Sequence, residues 1–252
     1  MQFVDLETAK AASGLRLVVA GGFPSPWSVA AKAIFQVKKV PFVAVRYRAP
    51  GTEICAWTGT YNAPAALYDA EPVRSGWAEI LELGERLAPE MPLVPSHPEA
   101  RARMFGYGHE LMGEGGLLWS MRQYAIDAGL ASSGEKGFPL VASKYLAPRY
   151  GWAEGCGPRA RARFHEGLAV LDGLLRSGKP WLLGDTFTAL DIYAASAMAV
   201  IAPLPEKDCA MLPPLRQTFE WLRGDTGNAI TPALLAHRAR VHEMHMPLPL
   251  DV

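Results

Sequence analysis

Hydrophobic and polar positions change period along this chain, and the changes mark its elements. Leu15–Ala20 (L-R-L-V-V-A) and Phe42–Tyr47 are short apolar runs rich in β-branched residues, the mark of buried strands. Between them Ala30, Ala33, Ile34 and Val37 fall on one helical face. Ser25-Pro26 reads as an N-cap followed by proline at the first helical position. Lys38 and Lys39 then favour the negative end of the helix dipole, and Pro41 closes it. A strand–helix–strand start of this kind predicts parallel strands with a right-handed crossover. Residues 1–13 read as a loosely ordered lead-in and 49–62 as an irregular connection. Residues 65–68 and 72–74 read as short extended pieces around a turn at Asp69-Ala70. Ile80, Leu83, Gly84 and Leu87 give a helix over Trp77–Leu87.

Four prolines at 89, 92, 95 and 98 then punctuate the chain, as a linker would. Beyond it the period is helical throughout. Ser96 is expected to cap a long helix with Ala100, Met104, Gly108 and Leu111 on one face. Further helices are expected over 138–150, 158–176, 215–223 and 232–246, with the proline-rich tail from Pro247 lying on the surface. The most informative stretch is 181–203. Thr188 followed by Asp191 has capping-box spacing, with Phe187 and Ile192 at staple positions. From Ile192 the helix is apolar on nearly every face until Pro203. The run is about 12 residues, too short to span a bilayer, so it predicts a core helix.

Composition narrows the function classes. The 252 residues carry 25 basic and 25 acidic side chains, so no nucleic-acid or anionic-membrane footprint is expected. Cys55, Cys156 and Cys209 are far apart, which predicts neither disulfides nor a zinc site and suits a reduced, cytoplasmic setting. The opening M-Q-F-V-D-L-E-T-A-K holds acids and no apolar core, so no signal peptide is expected. His237, His242 and His245 cluster, but no carboxylate or cysteine beside them completes a metal set, and Asp191 is assigned to its cap. Phe105, Tyr107, Trp119 and Tyr124 are candidates for an apolar cleft, or simply for the core.

Three pieces carry a resemblance: the capping box before a buried helix in Gly184–Ile192, Asn62-Ala63-Pro64 before a strand, and Ser25-Pro26-Trp27-Ser28 after the first strand. In this order they resemble the cytosolic glutathione transferases over about residues 15–246. The resemblance implies an α/β thioredoxin-like domain (1–88) followed by an all-α helical domain (96–252). It implies a cis peptide bond at Pro64 and a cytoplasmic homodimer. It also implies attack of a glutathione thiolate on a hydrophobic electrophile, with glutathione as cosubstrate. Ser25 would activate the thiol; Phe23, Trp27, Ser28, Ala63, Pro64, Arg74 and Ser75 would contact glutathione. Ser25 can equally be a plain N-cap, and Ser28 is the second candidate for activation. Where the family usually has Glu-Ser after the cis-proline, this chain has Arg74-Ser75, without the acid. Arg74 can instead capture a carboxylate. The loop is also the C-P-x-C of a glutaredoxin with both cysteines replaced by serine, which argues against a thiol-disulfide reductase. A non-catalytic binding or scaffold protein on the same fold, or a glutathione-dependent reductase or isomerase, are the alternatives.

Overall fold

A computed structural model describes residues 2–251, Gln2 through its backbone alone. The first half is built as β1 (Gln2–Phe3), α1 (Leu6–Ala11), β2 (Leu15–Ala20), α2 (Pro26–Val37), β3 (Phe42–Tyr47), α3 (Thr52–Thr58), β4 (Ala65–Tyr68) and α4 (Trp77–Leu87). The strand order is β1-β3-β2-β4, with β1 and β2 parallel to β3 and β4 antiparallel to β2. Pleating divides the side chains. Leu15, Leu17, Val19, Ala44 and Ala66 face α2 and α4, whereas Val18, Val45, Ala65 and Leu67 face α1 and α3.

The lead-in thus departs from the sequence expectation. Residues 2–11 form a strand and a capped helix, with Asp5 accepting the Thr8 amide and Ala9 buried (Met1 lies outside the described residues). Residues 49–62 also hold a helix, α3. Its ends are Gly51 and Gly59, both left-handed at φ 69° and 72°, a conformation glycine adopts at little cost. The extended piece at 72–74 reduces to one bridge, Ala66 with Arg74. Lys38 does not cap α2 from solvent. It is buried and bonded to Glu85 Oε1 at 2.8 Å and to the Met91 carbonyl at 2.6 Å. Glu85 also accepts the Leu93 amide at 3.0 Å, and the Leu93 carbonyl accepts the Ala189 amide at 2.9 Å. The proline-rich connection is therefore pinned to both halves.

The second half is helical: α5 (Pro98–Met112), α6 (Leu117–Ala131), α7 (Leu140–Leu146) running into a 3-10 turn at Ala147–Tyr150, α8 (Gly157–Leu175), α9 (Ala189–Ile201), α10 (Pro213–Thr226), a 3-10 turn at Gly227–Ala229, and α11 (Pro232–Met244). The cap of α5 is His97 rather than Ser96, because Pro98 takes the first helical position. All thirteen residues of α9 are buried. This helix packs against α2, α5, α10 and α11, so one apolar core joins the two halves. Three arginines crowd the start of α8. Arg161 pairs with Asp225 and Arg163 with Glu110, so cross-helix partners offset the unfavourable dipole. The tail contacts both halves: the Leu250 amide donates to the Asp208 carbonyl of the second, and Lys32 and Arg46 of the first both bond Asp251. Val252 lies outside the described residues. No helix among the described residues is long and apolar enough to cross a membrane.

Candidate functional site

The end of β2 and the start of α2 form the first wall of a cavity of about 710 Å³ between the halves. Pro26 at the first helical position places Ser25 at the N-cap, φ −52° and ψ 119°. The Ser25 hydroxyl makes no cap hydrogen bond, and the residue, 5% exposed, lines the cavity with Phe23 and Trp27. Trp27 is held by its indole N–H, which donates to the Met112 carbonyl at 2.8 Å. Ser28 points elsewhere: its hydroxyl accepts the Ala20 amide at 3.0 Å and the residue does not line the cavity. It serves the packing of α2 on β2.

The second wall comes from the turn into β4. The Ala63–Pro64 peptide is cis, and Asn62, Ala63 and Pro64 edge the cavity with Ser75, Gly76 and Trp77. Arg74 is not there. Its guanidinium bonds Glu71 Oε2 at 2.7 Å and the Pro72 carbonyl at 3.2 Å. Glu71 is shared with Arg86, and the hydrogen bond from Arg74 holds its carboxyl below the usual range. The loop therefore brings Ser25, Phe23, Trp27, Ala63, Pro64 and Ser75 together and leaves Ser28 and Arg74 out.

The helical half closes the cavity with Trp119, Arg122, Phe138, Tyr145, Arg149 and Tyr150. Tyr47 and Tyr145 meet across its mouth, hydroxyl to hydroxyl at 3.5 Å. Burial, and then the Tyr145 contact, push the Tyr47 phenol up to about 12. Among the aromatic candidates, Trp119 lines the cavity, whereas Tyr124 turns away to Asp225 at 2.7 Å. Phe105 and Tyr107 pack on the core. In the sequence Arg122 is marked only as a charge on an apolar helical stripe. It sits between Leu118 and Ile126, four residues from each, on the buried stripe of α6.

The two histidines of α11 and His245 at its C-cap have other partners. His237 Nε2 lies 2.9 Å from Asp191 Oδ1, His242 Nδ1 lies 2.9 Å from the Met246 carbonyl, and His245 stacks on Phe187 with ring centroids 3.7 Å apart. Among the described residues no group of three or more His, Cys, Asp or Glu is placed to hold a metal ion. The three cysteines are free and none lines the cavity.

Comparison with known proteins agrees with this geometry. Residues 144–202 match the family described as glutathione S-transferase, C-terminal domain. No curated protein matches the chain by sequence. Among solved structures, a glutathione transferase family member from Pseudomonas fluorescens pf-5, with two glutathione bound, superposes with a TM-score of 0.63 at 17% identity, covering 94% of each chain. A glutathione S-transferase domain-containing protein from Marinobacter aquaeolei VT8 gives 0.63 at 19% identity over 92% of this chain and 100% of its own. The beta-etherase LigF from Sphingobium sp. strain SYK-6 gives 0.59 at 18% identity over 90% and 99%. The chain thus has the fold of the glutathione transferase superfamily, a thioredoxin-like domain followed by an all-helical one.

Proposed function

We propose that the protein is a glutathione-dependent enzyme that directs the glutathione thiolate at a hydrophobic electrophile. The observation that carries this reading is the Ser25 hydroxyl, at the N-terminus of α2, free of a cap bond and opening on the cavity. A thiolate there is stabilised by the hydroxyl donor and by the positive end of the helix dipole. The thiolate is the nucleophile, so a lowered thiol pKa speeds attack. Ala63 offers its backbone to the cysteinyl portion of glutathione, and Ser75 its hydroxyl to the γ-glutamyl end. The apolar surfaces of Phe23, Trp119 and Phe138 receive the electrophile. The glutathione seen in the Pseudomonas relative supports the cosubstrate. A disulfide reductase needs a protein thiolate at this loop, and Cys55, Cys156 and Cys209 all lie off the cavity.

Calorimetric titration with reduced glutathione tests the reading. Saturable binding at one site per chain is expected. Absence of heat up to millimolar glutathione would leave a non-catalytic binding or scaffold protein on the same fold. On the same reading the protein is a cytoplasmic homodimer with its domain boundary in residues 89–95. Light scattering at micromolar concentration that shows a monomer overturns the dimer.

A further inference from the structure

Arg122 is 3% exposed, yet it lines the cavity, and among the described residues no acidic side chain forms an ion pair with it. A guanidinium keeps its charge in proteins, and a buried charge is costly unless paired. What surrounds it is aromatic. The rings of Phe138, Phe23, Phe219 and Trp27 have their centroids 5.2, 5.5, 5.8 and 6.0 Å from its central carbon. Such rings offset part of the desolvation. They do not satisfy the N–H groups in the plane of the fork, and Nε is buried without a hydrogen-bond partner. The Tyr150 hydroxyl is the polar neighbour. Arg48 and Arg149 also line the cavity, against one acid, Glu114. A positive, aromatic-walled cavity lined by a guanidinium that has no acidic partner is built for a planar anion.

We propose that the cavity's second ligand is an aromatic or otherwise apolar molecule carrying a carboxylate, which Arg122 receives through its guanidinium. This deepens the reading of the cavity as a cosubstrate site and rests on it. Ser25 and the Ala63–Pro64 turn are the glutathione side of this reading; Arg122, packed against Phe23 and Trp27, sets the orientation of the second molecule. The recognised feature is the carboxylate, and the apolar body fills the space between Trp119 and Phe138.

The test uses 3-phenylpropanoate and its neutral isostere 3-phenylpropanamide, titrated calorimetrically into the whole protein with and without glutathione. The acid should bind roughly ten- to hundredfold tighter than the amide, the range of charged hydrogen bonds. Replacing a buried ion by an apolar side chain of similar volume is commonly tolerated, so Arg122→Met should fold. In that variant the preference for the acid should vanish while glutathione affinity stays within about twofold. Arg122→Lys keeps the charge and should restore only part of the preference, because it lacks the fork. Equal binding of acid and amide by the wild type overturns the proposal without any variant. So does an Arg122→Met protein that loses glutathione affinity yet keeps the preference, since the fork would then serve glutathione. If glutathione gives no heat but the acid is preferred through Arg122, the anion site stands and the glutathione reading falls.

Discussion

His237 Nε2 lies 2.9 Å from Asp191 Oδ1, with both side chains buried at the start of the core helix. A carboxylate oxygen in this role only accepts, so the imidazole donates. Asp191 is then the acceptor for four groups. Oδ2 takes the Thr188 amide at 2.9 Å and the Thr188 hydroxyl at 3.2 Å. Oδ1 takes the Leu182 amide at 2.9 Å and the imidazole. One residue thus joins the turn before α9, the cap of α9 and the last helix.

The capping box alone predicts that Thr188→Ala costs about 0.5–2 kcal/mol and that Asp191→Asn costs less. The structure reverses that order. An asparagine presents one acceptor and one NH2 group; the Thr188 hydroxyl or the His237 imidazole can switch to accept from that NH2, but the backbone amide beside it loses its partner and the remaining bonds lose a charged acceptor. Each buried group left unsatisfied costs about 1–3 kcal/mol. Asp191→Asn should therefore destabilise by roughly 3 kcal/mol or more, beyond Thr188→Ala. Urea unfolding of the two variants decides it, and a smaller loss for Asp191→Asn would restore the simple cap.

Gly129 sits in α6 where α7 begins its approach. A Cβ there would press on the Phe138 carbonyl and the Ser143 hydroxyl. The Ser143 hydroxyl donates to that same carbonyl at 3.0 Å, so neither atom can give way cheaply. Gly129→Ala should cost about 1–3 kcal/mol and displace Phe138 from the cavity wall. A thermal midpoint within a degree of wild type would show that the junction is loosely packed.

What the residues alone revealed follows from how far each feature reaches. The bounds of β2, β3 and α4 are legible because proline, glycine and capping residues bracket a clear period. Helices α1 and α3 are not, since six or seven residues make under two turns, and each is held by few buried residues, such as Ala9 and Ile54. Asp191 shows the same limit within one side chain. The cap half is three residues away, but His237 is 46 residues distant and meets it only in the fold. At the site, Ser25 and Pro64 are legible as local turn chemistry. Arg74 reads either as a carboxylate grip or as a solvated strand-end arginine, because Glu71, which engages it, is invisible as a partner until the turn is built. Arg122 acquires meaning only once Phe23 and Trp27 of the first half are laid beside it.

Lys32 on α2 is 6% exposed and bonds the Asp251 carbonyl of the returning tail. Burial lowers its ammonium from the ordinary 10.5 to about 8; Asp251 opposes that shift and Arg46 adds to it. A lysine depressed in the folded state opposes folding while it is charged. The opposition is complete below about pH 8, where both states are protonated. From about 8 to 10.5 the unfolded chain holds more protons, so stability rises with pH through that window. Lys32→Met should therefore be the more stable protein at pH 7, by about 1–3 kcal/mol. Its advantage should shrink by pH 10. Other groups titrate in both proteins, so the difference isolates Lys32. A gap in urea midpoint that does not change between pH 7 and 10 would contradict this account.

Ser25 supplies the sharpest functional test. Its hydroxyl is not spent on capping α2, so Ser25→Ala should leave helix stability nearly unchanged. A plain N-cap would instead lose about 0.5–2 kcal/mol. Glutathione affinity should also change little, because the Ala63 backbone and Ser75 remain. What should change is the bound thiol. Losing a donor to the thiolate raises its pKa, and each unit corresponds to about 1.4 kcal/mol. Turnover with a generic aryl halide should fall at neutral pH and recover as pH rises, because the thiolate is then formed without help. Ser25→Cys should bring in thiol-transfer activity, since it places half of a C-P-x-C pair at the helix N-terminus, where a thiolate is stabilised. The measurement that decides is the ultraviolet absorbance of the bound thiolate against pH. If wild type and Ser25→Ala titrate together, the hydroxyl does not touch the sulfur, and activation must come from another group on the cavity wall, such as the Tyr47 hydroxyl.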